Sequence, residues 1–230
     1  WQLSLISLAT MPILLVVSLA VLARLRAPTP RSSPIALDVA MAWFYPTNRM
    51  SDAAKLCALA GVNWVRDRLS WPEMEPRPGE FAGPNRYDAS AARQSAAGLQ
   101  PLQVIHVSPA WANTNTARFP SDLRDAFRFY RAMAQRWSGQ LRAFEPWNEA
   151  DIRDFGGHTG AEIASLQKAA YFGLKAGDSR LLVCQNVFAI NRPATLEEFA
   201  ANAPAPYFET MNLHHYIAFD AYPAWYAAFR

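Results

Sequence analysis

Cysteine is scarce in this chain of 230 residues: Cys57 and Cys184 are the only two. They lie far apart, in what read as a helix and a strand. No metal-site spacing exists, and no disulfide can be argued. No Gly-rich phosphate loop follows the first apolar run, which counts against a dinucleotide-binding sheet. Charge of either sign is missing from residues 1–23. Three arginines, Arg24, Arg26 and Arg31, account for the whole net charge of +3, and the remainder is balanced. The pI near 9.0 therefore gives no ground for a nucleic-acid partner.

What is present is apolar and aromatic. The chain is 51% hydrophobic and 13% aromatic, enough for one sizeable core and with nothing that suggests disorder. Eight tryptophans serve first as core filling, but they also suit flat apolar ligands such as sugar rings. The uncharged residues 1–23 span roughly 35 Å as a helix, enough to cross a bilayer. Pro12 and scattered Ser, Thr and Gln weaken them as a permanent anchor, and Ser18-Leu19-Ala20 and Val21-Leu22-Ala23 are small-residue cleavage patterns. The expectation is an N-terminal hydrophobic helix acting as signal peptide or membrane anchor, with membrane contact if it stays uncleaved. The first residue is Trp1, so the true N-terminus and its basic region are expected to lie upstream. Arginines following a hydrophobic span argue by themselves for a cytoplasmic side; an upstream basic region removes that conflict, and export is the preferred reading. Residues 24–34, basic and rich in Pro and Ser, read as a linker.

From residue 35 to 230 the chain alternates strand-like and helical stretches. Apolar runs at Ile35–Phe44, Asn63–Trp71, Pro101–Val107, Leu141–Trp147, Arg180–Phe188 and Met211–Tyr216 read as strands. Helices are expected at Ser51–Ala60, Tyr87–Ala97, Asp122–Trp137, from Thr159 to about Lys175, at Thr195–Ala201 and from Ala221. The Asp122–Trp137 stretch places Leu123, Ala126, Phe127, Tyr130, Met133, Ala134 and Trp137 on one face, with Ser121 as the expected N-cap. Thr159-Gly160-Ala161-Glu162 is a capping-box pattern. Six βα units in series imply an α/β fold with a parallel sheet. Polar and aromatic residues follow several successive strands, which suits a (β/α)8 TIM barrel whose site forms at the C-terminal strand ends. A typical barrel takes about 250 residues. About six units are present in 196 residues, so an incomplete barrel is expected, cut roughly two units short.

Five segments carry the candidate chemistry. The first is Gly61-Val62-Asn63-Trp64-Val65-Arg66. An arginine inside a strand is costly unless paired, so a buried carboxylate partner is expected for Arg66, with Arg68 as the rival. The second runs Trp71-Pro72-Glu73-Met74-Glu75-Pro76, Gly79-Glu80-Phe81 and Tyr87-Asp88. The third is Val107-Ser108-Pro109-Ala110-Trp111-Ala112, preceded by His106. The fourth is Phe144-Glu145-Pro146-Trp147-Asn148-Glu149, an apolar strand delivering an amide and a carboxylic acid to a rim. The fifth is Asn212-Leu213-His214-His215-Tyr216.

Together these segments resemble the clan of retaining glycoside hydrolases built on (β/α)8 barrels, in particular family 39 xylosidase-like and family 5 cellulase-like enzymes. The resemblance covers residue 35 to the end. It implies that Glu149 is the general acid/base and Asn148 a ligand of the sugar 2-hydroxyl. Arg66 would support the catalytic carboxylates, and His214 would contact substrate or the acid/base. Tyr216 would hydrogen-bond the nucleophile. Trp111 would line the cleft, with Trp147 beside the catalytic pair, and the second segment would be mostly architectural. No role in the chemistry is assigned to Glu145. The clan's nucleophile is a glutamate ending a seventh strand, which is absent here; Asp151 and Asp154 lie too close to Glu149 in sequence, and Asp220 follows the sixth strand. The 230 residues alone are therefore expected to be inactive, although the whole protein would hydrolyse a poly- or oligosaccharide outside the cytoplasm, exported or membrane-anchored. No metal or cofactor is called for. The rival reading is a non-catalytic glycan-binding protein on the same scaffold. A barrel isomerase or aldolase finds no metal cluster, lysine-bearing strand or phosphate loop to support it.

Overall fold

The computed structural model describes residues 35–216 and 218–227. The expected export segment 1–23 and linker 24–34 lie outside the described residues. Within them, no helix is long and apolar enough to cross a membrane.

Five strands form one parallel sheet in the order of the chain: β1 Ala36–Asp38, β2 Trp64–Leu69, β3 Gln100–Ile105, β4 Ala143–Glu145 and β5 Leu182–Val183. Each is followed by a crossover helix: α1 Met50–Leu59, α2 Arg86–Ala96, α3 Leu123–Arg136, α4 Gly160–Gly177 and α5 Pro193–Ala201. The register aligns Asp38 with Arg66 across β1 and β2, and Val104 with Glu145 across β3 and β4. Side chains alternate across the sheet. Val65, Asp67, Leu69, Phe144 and Val183 are buried toward the helices. Trp64, Arg66, Leu102, Ala143, Glu145 and Leu182 turn the other way and line a concave face holding a cavity of about 580 Å³. This is the arrangement of part of a TIM barrel, and the expected βα alternation is present.

The helix side carries the main core. Phe129 of α3 stacks on Trp71 with ring centroids 4.3 Å apart, and Tyr130 meets Phe144 edge-on at 5.6 Å. Trp71, Tyr87, Phe129, Tyr130, Phe144 and Trp147 are all fully buried, each contributing on the order of 1.5–3 kcal/mol of apolar transfer. A smaller cluster of Met41, Met50, Ala54, Val62, Val65 and Leu99 seats α1.

Several expected boundaries are corrected. The run from Ile35 to Phe44 is not one strand: β1 ends at Asp38, Ala40 turns at φ 41°, and Met41–Phe44 is a helical turn. Asp122, not Ser121, caps α3 by accepting a hydrogen bond from the Arg124 N–H at 2.8 Å. The apolar face of α3 buries Phe129, while Phe127 is only half-buried. The run from Arg180 to Phe188 shortens to two strand residues, and among the described residues the run from Met211 to Tyr216 is reduced to the bridge Phe188–Leu213, with Cys184–Thr210 just before it. The reason lies in where the backbone groups go. Between the bridges, the Asn186 N–H donates to Gln167 Oε1 of α4 at 2.8 Å instead of to a strand. The Thr159–Glu162 capping box opens α4 as its spacing predicts, and the helix runs two residues past Lys175.

Candidate active site

The site is assembled at the C-terminal ends of the strands. β4 stops at Glu145, and the next four residues are pinned one by one. The Pro146 carbonyl accepts the Tyr130 hydroxyl at 2.5 Å. Trp147 is buried, and its indole N–H donates to the Phe155 carbonyl at 3.1 Å. The Asn148 N–H donates to the Ile105 carbonyl at 2.9 Å. Glu149 then takes φ 44°, in the left-handed region that a side chain other than Gly adopts rarely. Strain of this kind persists only where neighbouring contacts enforce it, and it gathers at functional sites.

Glu149 is 6% exposed. Its Oε1 lies 2.5 Å from His214 Nδ1 and also accepts the Tyr216 hydroxyl. Tyr216 was expected on a nucleophile; here it donates to Glu149. Although Tyr216 is largely exposed, partial desolvation of its hydroxyl, reinforced by the bond to Glu149, pushes it up to about 12, so it stays a donor at neutral pH. His215, between the two, turns away: its Nε2 lies 3.1 Å from the Ala218 carbonyl, and its ring packs on Tyr222 and Trp225.

Arg66 has the buried carboxylate partner its position predicts, and that partner is Glu145. Nη2 donates to Glu145 Oε1 at 2.6 Å and to Asn148 Oδ1 at 2.7 Å; Nε reaches Glu145 Oε2 at 3.2 Å. Nη1 donates to Asp38 at 3.0 Å. Asn212 donates to Glu145 Oε2 at 2.6 Å, so both Glu145 oxygens are engaged. Burial alone would lower the guanidinium; the charges of Glu145 and Asp38 outweigh it and hold Arg66 above its ordinary value. Arg68, the rival, lies against Asp38 at 2.5 and 2.8 Å, away from Glu145. Glu145, Asp38 and Asn212 are the site residues that sequence reasoning passed over. The available signal was a glutamate within an apolar strand, which needs a cation as much as Arg66 needs an anion.

The remaining positions make contacts within the fold. The Trp111 indole N–H donates to the Glu75 carbonyl at 3.0 Å, and its ring meets Trp71 edge-on at 6.3 Å. Glu75 is buried and accepts from Trp71 Nε1 and from the Gly79 N–H, both at 2.8 Å, which closes the turn read from that segment. Asp88 completes a capping box with Asn85. His106 sits between Trp43 and Phe155, and burial, then the charges of Arg66 and Arg68, push it down to about 3. Among the described residues, no group of three His, Cys, Asp or Glu side chains is disposed to hold a metal ion.

No family model and no curated protein matches the chain. Solved structures do. A family 39 glycoside hydrolase from Bacteroides cellulosilyticus WH2 aligns with TM-score 0.62 at 18% identity, over 80% of this chain and 38% of its own. The exo-β-1,4-mannosidase Op5Man5 from Opitutaceae bacterium strain TAV5 aligns with TM-score 0.60 at 19% identity, over 80% and 37%. A family 30 subfamily 8 xylanase from Clostridium acetobutylicum aligns with TM-score 0.61 at 18% identity, over 79% and 50%. The chain thus spans half or less of the length of these neighbours. At such identities the likeness establishes architecture alone: this chain has the α/β fold of part of a TIM barrel.

Proposed function

We propose that this chain carries the acid/base half of a retaining glycoside hydrolase acting on a poly- or oligosaccharide. The observation that supports this most is the setting of Glu149. A nearly buried carboxyl group stands at a strand end in a left-handed conformation, with His214 and Tyr216 both on Oε1 and Asn148 beside it.

In the first step, protonated Glu149 gives its proton to the glycosidic oxygen as the bond to the anomeric carbon breaks. A second carboxylate attacks that carbon and forms a glycosyl ester. In the second step, Glu149, now ionised, removes a proton from water, which displaces the ester and restores both groups. Asn148 is held toward the sugar by Arg66, so its amide is placed to bond a ring hydroxyl as positive charge develops. The second carboxyl must lie about 5–5.5 Å from the first. Glu145 is already committed to Arg66 and Asn212. We place the nucleophile beyond Arg230, a reading supported by the share of the neighbours' length that this chain covers. We also take residues 1–23 as the export or anchoring segment that brings the site to extracellular or periplasmic glycan.

The test is kinetic, on the chain extended by its native downstream sequence. Glu149→Gln should lower kcat/KM on unactivated glycosides by about 10²–10⁴-fold. With an activated aryl glycoside, azide should restore turnover and yield a glycosyl azide of retained configuration, because azide needs no general base. Sugar binding by the extended wild type without any hydrolysis would instead favour a glycan-binding protein.

A further inference from the structure

Asp151 lies two residues past Glu149 and is 2% exposed. A carboxylate so deep is costly unless its oxygens accept hydrogen bonds. Both do, and neither partner is a side chain: Oδ1 accepts the Ala189 N–H at 2.9 Å, and Oδ2 accepts the Ile190 N–H at 2.8 Å. These two amides follow Phe188, which bridges in parallel to Leu213. The Phe188 carbonyl accepts the N–H of His214 at 2.9 Å, and the His214 ring returns to Glu149 at 2.5 Å. The contacts close a circuit: Glu149, Asp151, residues 188–190, His214, Glu149. The turn carrying both carboxylates is itself closed, since the Ile152 N–H donates to the Glu149 carbonyl at 3.1 Å and the His158 N–H to the Ala150 carbonyl at 2.8 Å.

The circuit answers a problem of the fold. Among the described residues, the segment that delivers His214 meets the sheet at the Phe188–Leu213 bridge, with Cys184–Thr210 just ahead of it. A rigid clamp on residues 189 and 190 compensates. It takes its reference from the same turn that sets Glu149.

We propose that Asp151 is a positioning residue: its carboxylate fixes residues 188–190 and, through the Phe188 carbonyl, sets the His214 ring on the acid/base carboxyl. This deepens the glycoside hydrolase reading of the site and rests on it only for the kinetic arm of the test. Asp151 touches no substrate; it acts through His214. The chemistry requires an ionised carboxylate, because two N–H donors converge on it. An amide of the same size offers one acceptor and one donor, so one N–H is left facing an NH₂ group.

The spectroscopic arm uses the 230-residue chain labelled uniformly with ¹⁵N. The His214 Nδ1 proton, held by a carboxylate, should give a downfield resonance, assigned by its loss in His214→Asn and Glu149→Gln. Asp151→Asn should abolish it while the backbone amides of β1 to β3 keep their shifts. Should Asp151→Asn not fold, Asp151→Glu keeps the charge and both acceptors one methylene further out, and the resonance should then shift. A resonance unchanged in folded Asp151→Asn, or in Asp151→Glu, overturns the proposal.

The kinetic arm uses the extended enzyme. Asp151→Asn should lower kcat on the order of tenfold or more with little change in KM. Added to His214→Ala, it should cost less than a further twofold, since both act through one contact. Multiplying effects would overturn the proposal. Hydrolysis absent from the wild type would overturn the catalytic reading, and the resonance then decides the positioning role by itself.

Discussion

Arg66 and Glu145 sit on the concave face with few routes to water, and their value is mutual. Arg66 is 14% exposed at its side chain and Glu145 not at all. Removing one member of such a pair leaves an uncompensated buried charge, which costs about 3–5 kcal/mol. Arg66→Met should therefore lower the unfolding free energy by that order in a urea titration, and Arg66→Met combined with Glu145→Leu should recover most of the loss. Histidine makes a second, pH-dependent case. His158 lies flat on Phe119 at 3.4 Å, and its Nε2 accepts the Phe119 N–H at 3.3 Å, so the fold needs that nitrogen unprotonated. Burial, then the charge of Arg118, push it down to about 4, and His106 stands at about 3. Both folded-state values lie below the ordinary 6.5. Between these limits the unfolded chain binds more protons than the native one. Stability is fully present above pH 6.5 and is lost as pH falls through that value toward 4. A melting-temperature series from pH 7.5 to 4 should show this decline, and His158→Gln, which keeps an acceptor for Phe119, should flatten it. At this scale the sequence was informative where charge met hydrophobicity. Arg66 inside a strand announced a hidden partner. Glu145 and Asp38 were harder to name, because register between strands distant in sequence decides which carboxylate an arginine meets.

Helix α4 shows how an element can obey packing against its own propensity. Gly173 and Gly177 face α3, where an added Cβ would come within 2.5 Å of the Phe127 and Arg131 carbonyls respectively. In an isolated helix, Gly→Ala favours helix by about 1 kcal/mol. Here Gly173→Ala should destabilise by about 1–3 kcal/mol, because backbone cannot yield as a flexible side chain can. The sign of the change in melting temperature decides between propensity and contact. The same competition explains which elements could be read in advance. α3 was legible because its 3.6-residue period survives across 14 residues. Even so, the buried position is Phe129, drawn in by its stack on Trp71, a partner 58 positions upstream that no local pattern reveals. The run from Ile35 to Phe44 was misjudged because, Asp38 apart, it is apolar and shows no period, and the turn at Ala40 leaves no Gly or Pro as a marker. The run from Arg180 to Phe188 was overextended because Gln167, on a helix, takes the amide that a strand would have used.

Among the described residues, the sheet has one face covered by helices and one that lines a cavity. Helices cover the outer side of the sheet, while Trp64, Leu102, Ala143 and Leu182 line a cavity of about 580 Å³ on the other. On the proposed reading, further strands close that face in the working enzyme. An apolar fluorescent dye such as ANS should then bind the 230-residue chain, and binding should fall when the downstream sequence is attached. Equal binding by both would count against closure. The architecture was legible from the alternation of strand and helix and from the turn residues between them, because each βα unit is built from neighbouring residues. Closure of the cavity was not, because it depends on pairing between units that no single stretch specifies.

Strand order along the sheet is the order of the chain, β1 through β5. Each unit therefore lays its strand against the one made just before it, and no strand waits for a partner not yet synthesised. A chain leaving the ribosome N-terminus first can add one unit after another at a single growing edge. Along this sequence the turn that carries Glu149, after β4, is made before the segment carrying His214 and Tyr216 emerges. Glu149 thus acquires its side-chain partners last, so a nascent chain stalled before residue 214 would present a Glu149 carboxyl not yet in contact with either of them.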